Sequence, residues 1–415
     1  MKPTRILPIL LATALAAAAA LPPPDEAPPE GQCKARRHEP RPQRVRPQHG
    51  PAGFGAPLPG LTKAQMDAFT TGLDEFTNVE AVETGLGPVF NNVSCVACHS
   101  GPAVGGTSAE TVTRFGHAAG GGFDPLAELG GSLLQARAID PDARETVPPE
   151  ANVTVLRQTT PLFGLGLIEA IPDETIIRLA ARPSRDGIAG RAARVVDVVS
   201  GEERVGRFGW KAQQATLLAF SADAYRNEMG ITNRFFPTEN APNGDAAKLE
   251  KWDKIADPED VVDAVTGRSD IDVLADFMRL LGAPPQAHFP PAAMAGWGVF
   301  RQIGCDACHT PVLMTGRSDI PALNLKAVPL FSDLLLHDMG ALGDGIAQSD
   351  AGPRDMRTAP LWGLRASAPY LHDGRAPSVE AAIRAHDGEA ANPRDRYLRL
   401  RVQQRRQLLE FLNSI

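Results

Sequence analysis

The sequence predicts a mainly α-helical fold of two units with long loops, and three observations lead there. Strand-forming aromatics are scarce, with three Tyr and four Trp in 415 residues, whereas Gly and Pro number 39 and 37. β-branched alternation is weak, and apolar residues recur at helical spacing in several segments. The third observation is a repeat: Cys95-Val-Ala-Cys98-His99 and Cys305-Asp-Ala-Cys308-His309 share one pattern far apart in the chain.

The ends of the chain set its context. Lys2 and Arg5 precede an apolar stretch from Ile6 to Leu21 with small residues at Ala16 to Ala20, which predicts a secretory signal peptide over residues 1–20. A membrane anchor is the competing reading, but Pro8 interrupts the stretch, which is shorter than the roughly 20 residues a spanning helix needs. Residues 21–59 are rich in Pro, Arg and Glu and read as a disordered tether, since they bury too little apolar surface to offset ordering. Cys33 lies in it, behind Glu30-Gly31-Gln32 rather than the small residues lipid attachment needs. The net charge is −7 and the basic residues concentrate between Lys34 and Arg46, which leaves no case for nucleic acid as a partner.

Each repeat follows an expected helix. Leu61 to Phe76 places Met66, Phe69, Leu73 and Phe76 on one face ahead of Cys95. Pro290-Pro291 opens a second helix, whose Ala293, Trp297 and Phe300 line one side ahead of Cys305. Leu408, Phe411, Leu412 and Ile415 recur at helical spacing at the end of the chain.

The repeated motif carries chemistry. Two thiols separated by two residues each form a thioether to one porphyrin edge, and the adjoining histidine reaches the iron. The sequence therefore predicts two covalently bound c-type haems with His99 and His309 as proximal ligands. The rival is a zinc ion shared by four thiolates. The export signal, the histidine behind each pair and the matching helices favour haem. Small c-type cytochromes pack a terminal helix across the helix before the motif, as the Leu408 to Ile415 pattern suggests. With a boundary near the proline-rich Gly282 to Pro291 segment, the chain divides into haem domains at 60–284 and 285–415.

What a haem does depends on its second axial position. Of nine histidines, His38 and His49 fall in the tether, and His288 reads as an exposed loop residue. His117, followed by a glycine-rich stretch, suits either a ligand that can leave the first iron or a solvated loop histidine. The second iron has two candidates, Met339 in Leu336-His-Asp-Met339-Gly and His386 in Ala385-His386-Asp-Gly.

Ala359-Pro-Leu-Trp-Gly-Leu-Arg-Ala-Ser-Ala-Pro369-Tyr-Leu-His372-Asp-Gly374 resembles the P-L-R-N-x-x-x-T-A-P-Y-x-H-x-G block of bacterial di-haem cytochrome c peroxidases, with Trp362 and Gly363 in place of R-N. Arg207-Phe-Gly-Trp210-Lys-Ala, Glu228-Met-Gly-Ile-Thr-Asn233, Ser332 to Gly340 and Ala385 to Ala390 are similar to the di-haem oxidoreductase branch of that superfamily, which includes thiol oxidoreductase-like proteins. The resemblance implies that Trp210 sits between the haems, that Glu228 moves protons at the peroxide site, and that His372 meets a haem propionate. The family's methionine ligand of the C-terminal haem corresponds here to His386. Calcium between the domains is usual in these peroxidases, but the expected asparagine is not evident around Arg157-Gln-Thr-Thr-Pro161, so the resemblance allows calcium without a site.

The implied function is reduction of hydrogen peroxide in the periplasm with electrons from a small donor protein, a cytochrome c or cupredoxin. The alternatives are an electron-transfer protein without substrate chemistry, or a di-haem oxidase of a partner protein or small reductant.

Overall fold

The computed structural model describes residues 53–287 and 289–415. The expected signal peptide, the tether up to residue 52 with Cys33, His38 and His49, and His288 lie outside the described residues. The last residues read as tether belong to the fold. Leu58 is buried and its N–H donates to Leu280 O at 2.8 Å, and Phe54 meets Phe163 edge-on with ring centroids 5.4 Å apart.

The mainly α expectation is corrected. The described residues are 35% helix and 16% strand, with the strands in several small sheets. The longest strands, β1 (Thr111–Ala119) and β2 (Val153–Gln158), pair antiparallel from Thr111↔Gln158 to Gly116↔Val153. Glycines interrupt the run after β1, and β2 leaves Thr154 and Leu156 exposed, so neither shows a clean apolar alternation. Such short strands are set by partners distant in sequence rather than by local pattern.

Two helix crossings organise the core. Helix α1 (Lys63–Phe76) starts at Thr62, whose Oγ1 accepts from Gln65 N–H while Gln65 Oε1 accepts from Thr62 N–H. Phe69 and Phe76 are buried, whereas Met66, expected on the same face, is 39% exposed. Helix α2 (Leu217–Met229) ends at Gly230 in the left-handed conformation, and α3 (Asp270–Leu280) packs across α1. Helix α4 (Pro291–Ile303) starts on its proline and stops at Gly304, φ 92°, which turns the chain straight into Cys305. Helix α5 (Val379–Ala385) ends at His386, and the terminal α6 (Val402–Leu412) packs across α4. Leu408, Phe411, Leu412 and Ile415 are all buried there, as their spacing predicted.

The crossings share one device. A Cβ on Gly72 of α1 would lie 2.7 Å from Phe277 Cβ and against Val273 O of α3. A Cβ on Gly296 of α4 would lie 2.8 Å from Phe411 Cβ and against Gln407 O of α6. One turn on, Phe76 and Phe277 have ring centroids 4.7 Å apart, and Phe300 and Phe411 5.3 Å. The helix before each motif thus meets its partner through a glycine followed by a phenylalanine. The sequence did not mark α3 as the counterpart of α6.

The segment expected to divide the chain is tied on both sides: Gly282 N–H donates to Ala56 O and Ala287 N–H to Ser414 O. Among the described residues no helix is long and apolar enough to cross a membrane.

Gly296→Ala and Gly72→Ala should each push a helix pair apart and cost about 1–3 kcal/mol, read as lower midpoints in urea unfolding of the haem-loaded protein. Gly298→Ala, on the open side of α4, should leave the midpoint within error.

Candidate active site

Both Cys-x-x-Cys-His segments form a single helical turn that carries its side chains inward. Cys95, Cys98, His99, Cys305, Cys308 and His309 lie deep in the protein, yet each keeps accessible surface. Side chains so placed face internal space. Burial raises all four thiols, Cys98 to about 11 and Cys305 to about 12, so they are neutral thiols rather than thiolates. Among the described residues no cluster of metal-binding side chains combines the two cysteine pairs, as a shared zinc ion would require.

The two histidines are set alike. His99 Nδ1 lies 3.0 Å from Gly106 O, and His309 Nδ1 lies 3.0 Å from Phe331 O. A carbonyl can only accept, so each Nδ1 carries the proton and each Nε2 keeps a bare lone pair, the form in which imidazole binds a metal. Burial lowers both pKa values to about 4, which keeps the rings neutral.

A cavity of about 280 Å³ opens on Cys305, Cys308 and His309. Its walls include Trp210, Met339, Arg357, His372 and His386, and much of the Ala359–His372 stretch. His386, at the end of α5, places Nδ1 2.8 Å from Ala382 O, so it too presents a bare Nε2, and burial lowers its pKa. His372 is 3% exposed and its buried Nε2 has no hydrogen-bond partner among the described residues. Arg357 donates only to backbone carbonyls, Gly209 O and Thr358 O, and makes no ion pair among the described residues. Burial lowers it to about 10. A wall holding an unpaired guanidinium and an orphaned imidazole nitrogen suits a ligand that brings carboxylates of its own. The residues present therefore fit a haem.

Beside the first motif, Glu228 near the end of α2 is part-buried close to Cys98, whose thiol its charge helps to raise. Asn91 Nδ2 donates to Glu228 Oε2 at 2.8 Å, and Asn91 N–H donates to Glu228 O at 2.8 Å. Burial raises the Glu228 pKa, Arg114 and Asn91 oppose it, and Asp223 adds to it. Arg114 lies on β1 and burial lowers it to about 10. His117 also lies on β1, not in a loop, and its Nδ1 is held 2.7 Å from Glu150 O. Three residues from Arg114 on a regular strand, it points to the opposite sheet face.

The two sites share a wall. Gly106, which accepts from His99, precedes Thr107, which lines the His309 cavity. Thr107 Oγ1 donates to Thr159 O at 2.5 Å, and Trp210 Nε1 donates to the neighbouring Gln158 O at 2.8 Å. Trp210 meets His372 edge-on, with ring centroids 6.3 Å apart. Behind this wall Lys211 is fully buried: Nζ donates to Asp355 O at 2.6 Å and Gly352 O at 3.1 Å, and pairs with Asp344 Oδ1 at 2.9 Å. Arg157 pairs with the other oxygen of Asp344 at 2.8 Å. Burial lowers Lys211, and the two cations hold Asp344 below the usual carboxylate range against its own burial.

Sequence reasoning assigned His337 no role, yet it braces the second site. Nε2 lies 3.0 Å from Asp333 Oδ2 and Nδ1 2.8 Å from Glu389 Oε2, so both nitrogens must donate and the ring is an imidazolium. Burial alone would lower its pKa, but Asp333, Cys308 and Glu389 push it up to about 12. It anchors the segment that carries His386. The signal available in the sequence was its spacing to Asp333, four residues earlier.

Two motifs that aim neutral histidines and paired thiols into internal space define a protein built to hold two haems. The chain belongs to the family described as di-haem oxidoreductase, putative peroxidase, whose model matches residues 149–415. It is a di-haem redox enzyme. The matched region holds the second motif, Trp210, Glu228, His372 and His386, and begins after the first motif. No curated protein matches the chain. Among solved structures it is similar to hydrazine synthase of Kuenenia stuttgartiensis pressurized with xenon, at 14% identity over 91% of this chain and 100% of that one, TM-score 0.40. It is also similar to a MauG-like protein associated with microbial copper homeostasis, at 14% identity over 61% of this chain and 88% of that one, TM-score 0.31.

His337→Leu leaves Asp333 and Glu389 facing each other unpaired and should cost about 3–5 kcal/mol, measured by denaturant unfolding. Because the folded pKa of His337 is raised, its contribution is whole below the ordinary histidine value of 6.5 and fades as the pH climbs toward about 12. Stability of the native protein should therefore fall across that alkaline range more steeply than that of His337→Leu.

Proposed function

We propose that the chain is an exported c-type di-haem peroxidase that reduces hydrogen peroxide to water with electrons from a small periplasmic donor protein. The observation that supports this reading is the Glu228 carboxyl, part-buried beside Cys98 with a raised pKa and, among the described residues, no hydrogen-bond partner at Oε1.

Cys95, Cys98 and His99 would hold one haem, and Cys305, Cys308 and His309 the other, each through two thioethers and a histidine Nε2. When bound, the haems supply one-electron redox chemistry. The chain supplies protons and placement. Hydrogen peroxide with two electrons and two protons gives two waters, and O–O cleavage needs a proton moved from one oxygen to the other within hydrogen-bond reach. Asn91 fixes Glu228 Oε2, so Oε1 can take that proton from one peroxide oxygen and return it to the other. Burial brings the carboxyl nearer neutrality than an exposed one, and the Arg114 charge keeps it from being locked as the acid.

In this reading Trp210 and the wall formed by Gly106, Thr107 and Gln158 separate electron entry, at the His309 site, from chemistry at the His99 site. Arg357 and His372 would receive haem propionates. His386 is preferred to Met339 as sixth ligand of the second iron, because its Nδ1 is tied to Ala382 O and its Nε2 is free to bind. The Lys211 ammonium supplies, between the two sites, the positive charge that the resemblance would assign to calcium.

Glu228→Gln should lower peroxide turnover with reduced cytochrome c by roughly 10²–10⁴-fold while leaving both haem spectra unchanged, and should remove an acid limb of the pH–rate profile that lies above the ordinary carboxylate range. Electron paramagnetic resonance of the half-reduced protein should show one high-spin iron. Two permanently low-spin irons would leave electron transfer without substrate chemistry as the function. Redox titration of His386→Met should show one haem potential raised, and an unchanged pair of potentials would return Met339 as the ligand.

A further inference from the structure

Against the turn that ends the Glu228 helix lies a group of side chains that the peroxidase reading does not use. Glu239, Asp257 and Glu259 each offer a carboxylate oxygen, and these oxygens lie within 4.8 Å of one another. Glu239 is 4% exposed. Its Oε1 accepts from Asn240 N–H at 2.9 Å, and its buried Oε2 has no hydrogen-bond partner among the described residues. Thr232, fully buried, donates from Oγ1 to Asp257 Oδ1 at 2.9 Å and from its N–H to Glu259 Oε2 at 2.7 Å. Asp253 adds a fourth negative charge nearby. The nearest cation in sequence, Lys254, donates to Glu250 O. Among the described residues none of these four carboxylates makes an ion pair.

A chain that gathers three carboxylates and leaves a buried oxygen unpaired pays both repulsion and desolvation unless a countercharge enters. The donors are all oxygen, with neither sulfur nor imidazole among them, and this set selects hard cations over zinc or copper. Glu239 forms a buried floor, whereas Asp257 is exposed and leaves an entry path with room for water ligands. We propose that Glu239, Asp257 and Glu259 bind a hard divalent cation of the calcium class.

The place of this site in the fold gives it a purpose. It sits against the turn that ends α2. A Cβ on Gly87 would lie 2.8 Å from Gly230 Cα and 2.9 Å from Glu239 Oε1, and Gly87 N–H donates to Met229 O at 3.1 Å. The ion ties the 230–232 turn to the 239 and 257–259 loops, within two to four residues of Glu228. It clamps the end of the helix whose other bonds, from Asn91, fix the Glu228 backbone and carboxyl. The binding itself does not rest on the peroxidase reading.

The test uses full-length haem-loaded protein, stripped with a chelator, desalted and titrated with calcium chloride by calorimetry, with equilibrium dialysis to count bound ions. The native protein should take up one calcium more than Glu239→Gln or Asp257→Asn, or bind it about tenfold or more tightly than either. Calcium should raise the native melting temperature and leave both variants unmoved. In chelator, Glu239→Gln should melt at or above the native protein, because one of the converging charges is gone. Native protein that takes up no calcium, or variants that bind it equally, would overturn the proposal. So would a Glu239→Gln protein that melts below native by the same margin with and without calcium, since the carboxylates would then serve as hydrogen-bond acceptors alone.

Discussion

The rest of the structure depends on a hydrogen bond made twice: an imidazole Nδ1–H donating to a backbone carbonyl, His99 to Gly106 and His309 to Phe331. The bond fixes the tautomer, and burial keeps the ring neutral. Everything around each site is arranged so that those carbonyls stand still. Phe331 belongs to the aromatic cluster formed by Trp297, Phe300 and Phe411, so the α4–α6 crossing reaches the histidine through one side chain and its own carbonyl. Phe76 of α1 packs directly on the His99 ring, with centroids 5.9 Å apart. The two glycine-mediated crossings are therefore part of the haem sites rather than a scaffold remote from them.

The interior between the sites is unusually charged for a protein core. Arg114, Arg157, Lys211, Asp344 and Arg357 are all buried or nearly so, and their carboxylate partners are fewer than the cations. Unpaired buried charge is costly, and natural cores keep it where a ligand completes the pairing. The imbalance is what a pocket for two dianionic porphyrins should look like before they are counted.

Much of this was legible in the sequence because the chemistry is local. The Cys-x-x-Cys-His motifs compress thioether and axial attachment into five adjacent residues, and the helices beside them carry their pattern within two or three turns. The Ala359–Gly374 stretch was recognisable as a block, and it lines the second cavity as a block. What escaped was non-local. The longest strand pair joins segments some forty residues apart and buries only parts of its faces, so a mainly α fold was expected. The glycines after His117 suggested a loop, but they turn a short hairpin in which His117 pairs with Asp124, on a strand whose earlier part, Thr111 to Gly116, pairs with Val153–Gln158 some forty positions on. His337 needed both Asp333 and Glu389 to be seen as a cation, and Glu389 is far away in sequence. Glu228 was found by resemblance, whereas its raised pKa is a property of burial that no spacing encodes.

Lys211 has a consequence beyond holding the wall in place. With Arg157 and Asp344 it forms a buried trio carrying one net positive charge, and two of its members, Asp344 and Arg157, act electrostatically on His372 at the edge of the second cavity. A fixed positive charge in a medium of low dielectric favours whichever state of a nearby redox group has accepted an electron. Two imidazoles on the second iron would pull its potential down, and the trio pulls the other way. Because the ammonium is attached to the chain, that offset is set at synthesis, and no chelator can remove it.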